Sequence, residues 1–167
     1  MSRAIKLLCG AGVVLAAAAF TGTAGAQEKK DKPAAQQRPE VEVVFCLDTT
    51  GSMGGLIDAA KRKIWSICSQ IAGGKPTPQL RVGLVAYRDR GDAYVTKVFD
   101  LTDDLDAVYA NLMSLRAEGG GDFPESVNQA LHDSVTKVKW GQGKKTLKII
   151  FLVGDAPPHM DYADDVK

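Results

Sequence analysis

The chain has 167 residues, 45% of them apolar and 25% charged, a mixture that suits one globular domain with room for additional segments. Its 21 basic and 20 acidic residues nearly cancel. Without a stripe of Lys and Arg interleaved with aromatics, neither nucleic acid nor an anionic membrane surface is indicated as a partner.

The chain opens on a basic start, Arg3 and Lys6, followed by an apolar run from about Leu7 to Phe20 and the small residues Ala24-Gly25-Ala26. This is the pattern of a cleavable signal peptide over 1–26, so the protein is expected to be exported to the periplasm or the extracellular space. The apolar run is too short and too rich in Ala and Gly to span a bilayer, so no stable membrane span is expected after cleavage. Cys9 precedes most of that run, which argues against lipid attachment there. Residues 27–40, QEKKDKPAAQQRPE, lack apolar periodicity and read as a flexible linker to a domain spanning 41–167.

Val41 to Leu47, VEVVFCL, is an apolar, β-rich run of the kind that forms a parallel strand covered on both faces. After Gly51, Gly54 and Gly55, the residues Ile57, Ala60, Ile64, Ile67, Cys68 and Ile71 recur at helical spacing. Gly73-Gly74 and Pro76 end that helix. Leu80 to Tyr87 reads as a second strand, and Tyr94 to Leu101 as a third returning antiparallel after the turn at Asp89-Arg90-Gly91-Asp92. Thr102 is placed to cap a short helix reaching about Leu115, with Asp103 and Asp104 in its first turn. After Gly119-Gly120-Gly121, Asp122 is placed as the cap of another helix, with Pro124 near its first position and Val127, Ala130, Leu131 and Val135 on its inner face. Thr146 to Val153 is a fourth buried strand, stopped by Gly154-Asp155-Ala156-Pro157-Pro158.

Alternation of apolar strands with helices predicts an α/β fold: an open, doubly wound, mostly parallel sheet with one antiparallel edge strand and helices on both faces. Ligands of such sheets gather beyond the carboxyl ends of the strands, where strand order reverses. Two of the predicted strands end there in aspartate, Asp48 and Asp155.

Cys46 and Cys68 would invite a disulfide in an oxidising compartment. With the helix rising about 1.5 Å per residue, Cys68 falls some ~20 Å back along the first strand and roughly 10 Å from Cys46, beyond bridging reach. Both read as small buried apolar residues.

Asp48-Thr49-Thr50-Gly51-Ser52-Met53 sets one carboxylate and two hydroxyls at alternate positions on a tight turn. The three oxygens of Asp48, Thr50 and Ser52 suit Mg²⁺, or equally Mn²⁺ or Ca²⁺, which take oxygen ligands and complete their shell with water. The competing reading is a strand end whose hydroxyls cap the next helix.

The buried strand, the DxTGSM turn, the GGGDFPE loop and the strand ending in GDAPPH resemble the von Willebrand factor A (VWA) family, whose members carry a metal-ion-dependent adhesion site (MIDAS). The resemblance runs from Val41 to the end of the chain. It implies Asp48, Thr50 and Ser52 as the first ligand group and Asp155 as the acidic residue of the later strand. Asp122-Phe123-Pro124-Glu125 departs from the commonest family loop, with Gly121 at the usual Thr position, and is similar instead to the D-x-P-E segment of integrin beta-subunit domains. That likeness implies Glu125 as the middle ligand and Asp122 as a residue behind the ligands or a helix cap. Family domains continue through at least one more helix and two more strands, so the resemblance implies a C-terminally incomplete domain with its fourth strand at an exposed sheet edge.

The function expected is that of a non-enzymatic binding module, in which a metal with an open coordination position takes a carboxylate from a protein partner. A metal-dependent hydrolase built on Asp48 and Asp155, or an accessory subunit of a larger enzyme assembly, stands as the alternative. Arg90-Gly91-Asp92 matches an integrin-recognised tripeptide but is also ordinary turn chemistry. His159 could line the rim of the site but, as a lone histidine, reads as a surface residue rather than a ligand, and Trp65 and Trp140 read as packing or amphipathic surface residues.

Overall fold

The computed structural model describes residues 38–164 and Val166, so the expected signal peptide and most of the linker lie outside the described residues. The linker's last residue, Glu40, already opens a strand. The elements are β1 (Glu40–Asp48), a 3-10 turn (Gly51–Gly55), α1 (Ile57–Ala72), β2 (Gln79–Tyr87), β3 (Thr96–Thr102), α2 (Leu105–Ser114), α3 (Val127–Thr136) and β4 (Leu147–Val153).

The four strands form one sheet in the order β3-β2-β1-β4. β1 pairs in parallel with β2 on one side and β4 on the other, and β3 runs antiparallel to β2. β1 is central because its side chains from Val41 to Asp48 are all buried, so neither face could be left to water.

Alternation along β1 assigns its two faces. Val43, Phe45 and Leu47 pack with Ile57, Ile64 and Cys68 of α1 and with Val108 and Leu112 of α2. Val44 and Cys46 point the other way, onto Val127 and Ala130 of α3 and onto Val138. The sheet is therefore covered by helices on both faces, as the sequence predicts. This also explains why Cys46 and Cys68 stay free: they sit in clusters on opposite faces of the sheet. Cys46 Sγ instead lies 2.8 Å from Ser134 Oγ of α3.

Several local expectations are corrected. The cap of α2 is Asp104, whose carboxylate accepts from Asp106 N and Ala107 N, while Thr102 Oγ1 only accepts from Asp104 N. Asp122 caps no helix: α3 starts at Val127, because Glu125 is drawn into a parallel backbone bridge with Pro158. Val135 faces outward, 62% exposed, rather than the core. β3 starts at Thr96, and Tyr94 stands outside it with its hydroxyl 2.8 Å from Thr49 Oγ1.

β4 forms the edge opposite β3 and is not the buried strand expected: none of its residues is fully buried, and Leu147 and Leu152 are at least half-exposed on it. Strand order reverses between β1 and β4, since β1 leads away to β2 and the chain returns only later to β1's other side. Asp48 and Asp155 thus stand at the switch point of the sheet.

Candidate metal centre

Asp48 is the last residue of β1 and wholly buried. Its Oδ1 accepts from the Thr50 backbone N–H at 2.9 Å and from Thr50 Oγ1 at 2.6 Å. Thr50 Oγ1 lies 3.1 Å from Ser52 Oγ, which donates to Asp155 Oδ1 at 2.9 Å. Oxygens of the four residues read from the turn and the later strand therefore form one connected row. None of the hydroxyls caps the 3-10 turn or α1.

Glu125 arrives from the loop before α3 and is 2% exposed. A side chain added at Gly120 would begin 3.4 Å from both Glu125 Oε1 and Thr50 Cβ, so the glutamate and the threonine meet beside that glycine. Asp48 Oδ2, Glu125 Oε2 and the Tyr87 hydroxyl are buried and make no hydrogen bond of ordinary geometry, although the Tyr87 hydroxyl stands near enough to Asp48 to bear on its carboxyl. Buried carboxylate oxygens left without such a bond are costly unless something positive joins them.

The electrostatics agree. Burial pushes the Asp48 carboxyl above its ordinary value, and the charge of Asp155 adds to the rise. Burial, and then the charge of Asp48, lifts Glu125 to about 7. The donor set is all oxygen, with three carboxylates and two hydroxyls, and it fits a hard divalent cation.

The loops that hold these groups are tied together by main chain. Gly51 N donates to Gly119 O at 2.9 Å, and a Cβ on Gly51 would stand 2.8 Å from that oxygen, so glycine is required there. Asp92 accepts from Gly120 N at 2.9 Å and from Asp89 N at 3.1 Å, pinning the glycine loop to the end of β2. Arg88 is buried; it donates to Thr49 O and Arg116 O and lies over the Tyr94 ring. The Arg90-Gly91-Asp92 triplet stays at the surface, with Arg90 and Gly91 exposed, but its side chains are tied into the fold. Arg90 pairs with Asp164 at 2.7 Å and covers the Tyr162 ring, while Asp92 is committed to the loop.

His159 is the clearest correction to the sequence reading, because it is buried, only 3% exposed. Its Nε2 lies 3.3 Å from Asp89 Oδ2 and 3.7 Å from Asp122 Oδ1, and its Nδ1 lies 2.8 Å from Asp161 Oδ1. Burial works to lower its pKa, but Asp161 and Asp89 outweigh it and leave the imidazole above its ordinary value. Asp89, Asp122 and His159 are close enough that they could hold an ion. Asp122 itself is exposed and stands beside His159, not among the oxygens of Asp48 and Thr50.

Asp89 and Asp92 were both missed as site residues. The signal available was position: Asp89 lies two residues past the end of β2, on the same sheet edge as Asp48 and Asp155.

Comparison with known proteins places these features in context. Residues 42–165 match the family model described as the von Willebrand factor A domain. Mouse von Willebrand factor A domain-containing protein 7 is 35% identical over 120 residues, covering 72% of this chain and 12% of that protein. An ariadne-like RING finger protein of Acanthamoeba polyphaga mimivirus is 29% identical over 119 residues, covering 71% of this chain and 11% of its own. The chain thus spans only about an eighth or less of the curated relatives' length. Among solved structures, the SpRpn10 VWA domain superposes with a TM-score of 0.56 at 17% identity, covering 74% of this chain and 63% of that one. At that identity the likeness bears on the fold.

Proposed function

Because the chain belongs to the von Willebrand factor A domain family, we propose that it is a metal-dependent protein-binding module. Asp48, Thr50, Ser52, Glu125 and Asp155 would hold one divalent cation, Mg²⁺ or alternatively Mn²⁺ or Ca²⁺. Bound there, the cation supplies an open coordination position for a carboxylate of a protein partner.

The observation that carries this reading is that Asp48 and Glu125, two buried carboxylates each beside Thr50, both keep an oxygen with no hydrogen bond of ordinary geometry, Oδ2 and Oε2. A purely structural strand end would satisfy them or leave them in water. Ser52 and Asp155 are exposed, so the centre opens to solvent on the side where a partner would arrive. The reading is of binding rather than turnover. His159, the buried imidazole at this edge, is engaged on its two ring nitrogens by the carboxylates of Asp89 and Asp161. The leader at 1–26 supports export, which would place the partner in the periplasm or outside the cell. Among the described residues no helix is long and apolar enough to cross a membrane.

The test uses Mn²⁺ as cation and N-acetyl-aspartyl amide as the simplest carboxylate probe. Water-proton relaxation, enhanced by protein-bound Mn²⁺, should fall as the aspartyl probe displaces metal-bound water. N-acetyl-asparaginyl amide should leave it unchanged. Equal responses to the two probes would refute carboxylate capture.

A further inference from the structure

Two of the proposed ligands, Glu125 and Asp155, lie on separate loops, and one short segment serves both. Glu125 N donates to Pro157 O at 2.9 Å, and His159 N donates to Glu125 O at 3.1 Å. Asn128 Nδ2 of α3 donates to His159 O at 3.0 Å. The backbone of Glu125 is therefore clasped on both sides by residues 157–159, which begin two residues after Asp155.

That clasp needs an anchor in the sheet, and the His159 side chain provides one. Its Nε2 faces Asp89 Oδ2, just beyond β2, and both groups are buried. Asp89 is a hub: its Oδ1 accepts from Ser126 Oγ at 3.0 Å and from the Tyr162 hydroxyl at 3.1 Å. Ser126 is the chain neighbour of Glu125. The Tyr162 ring stacks on His159 at 4.0 Å between centroids. Nδ1 of His159 is held by Asp161, which fixes the ring plane and leaves Nε2 directed at Asp89 and Asp122. The same carboxylate of Asp89 thus grips both loops, through Ser126 on one and through His159 on the other.

We propose that His159 is a positioning residue of the metal centre: through its Nε2 contact with Asp89 it holds segment 155–159 so that Glu125 and Asp155 face the oxygens of Asp48, Thr50 and Ser52. It does not itself bind the cation. This rests on the metal-centre reading above. Groups that orient ligands from behind are worth about 10–100-fold in metal affinity.

Mn²⁺ titration by calorimetry on the whole chain tests it, comparing wild type, Asp48→Ala, His159→Phe and His159→Gln. Phe keeps the ring stacked on Tyr162 but loses Nε2; Gln restores a donor toward Asp89. The expected result is one site in wild type, absent in Asp48→Ala. His159→Phe should keep one site with affinity about 10–100-fold weaker, and His159→Gln should return most of it. If His159→Phe fails to fold, Asp89→Asn serves as the second variant and should weaken Mn²⁺ by a similar factor with His159 intact. Wild-type affinity in His159→Phe, or no rescue by Gln, overturns the proposal while leaving the metal centre standing. So does a second Mn²⁺ in wild type that disappears in His159→Phe, since His159 would then be a ligand. No Mn²⁺ binding by wild type removes the metal-centre reading itself.

Discussion

Asp48→Asn should make the metal-free protein more stable and the metal-treated protein indifferent to metal. Asn retains an oxygen for the two donors from Thr50, the backbone N–H and the hydroxyl. Its amide nitrogen replaces Oδ2, so the variant keeps a polar group against the neighbouring Tyr87 hydroxyl while removing a buried charge that burial and Asp155 disfavour. Removing a buried, imperfectly paired group is worth about 1–3 kcal/mol. Allowing for imperfect amide geometry, a net gain of about 1 kcal/mol is expected, a Tm rise of roughly 3–6 °C for a domain of this size. In wild type, a cation at one hundred times its Kd adds about 2.7 kcal/mol to the folded state. Scanning calorimetry with EDTA and then with saturating MgCl₂ should therefore rank metal-loaded wild type highest. Asp48→Asn should follow, unmoved by MgCl₂, with metal-free wild type lowest. A variant less stable than metal-free wild type that still gains the full MgCl₂ shift would refute the reasoning, because Asp48 would then be a structural residue alone.

Two further outcomes follow from the same geometry. Gly119 has φ +77° and a Cβ there would run into the Asp92 carboxylate, so Gly119→Ala should cost about 1–3 kcal/mol in urea unfolding; an unchanged midpoint would contradict that. Asp133, wholly buried, is pushed up by burial, but Lys137, Thr96, Gln129 and His132 outweigh this and hold it below the usual carboxylate range. A depressed carboxyl contributes stability that is present above its unfolded pKa, about 3.9, and is lost as pH falls through the lower folded value. Asp133→Asn should thus be less stable than wild type at neutral pH, with the difference shrinking below about pH 4; a constant difference down the acid limb would be the contrary result.

The fold was legible because its signals are local and redundant. The apolar run of β1 and the three- and four-residue spacing of α1 each specify both an element and the surface it must bury. The candidate site was legible where its residues are close in sequence, in Asp48, Thr50 and Ser52. The parts that failed depend on contacts between distant segments. Asp122 looked like a helix cap because nothing in its neighbours reveals that Pro157 and His159 will capture Glu125 and delay α3 until Val127. His159 looked exposed because, beyond Asp161 two residues on, the carboxylates that enclose it are not local: Asp89 and Asp122 come from two distant stretches. Arg90-Gly91-Asp92 is turn architecture, in keeping with its ordinary Gly-Asp turn chemistry, with Asp92 bonded to Gly120 and Arg90 to Asp164.

The central claim is that Asp48, Thr50, Ser52, Glu125 and Asp155 form one divalent-cation centre. Isothermal titration of Mg²⁺ and Mn²⁺ into the metal-free chain, with Glu125→Gln and Asp155→Asn alongside, tests it most directly. The account predicts a saturable isotherm for wild type, weakened by each substitution even though the two residues come from different loops. No binding of either cation to wild type, or wild-type isotherms in both variants, would contradict it.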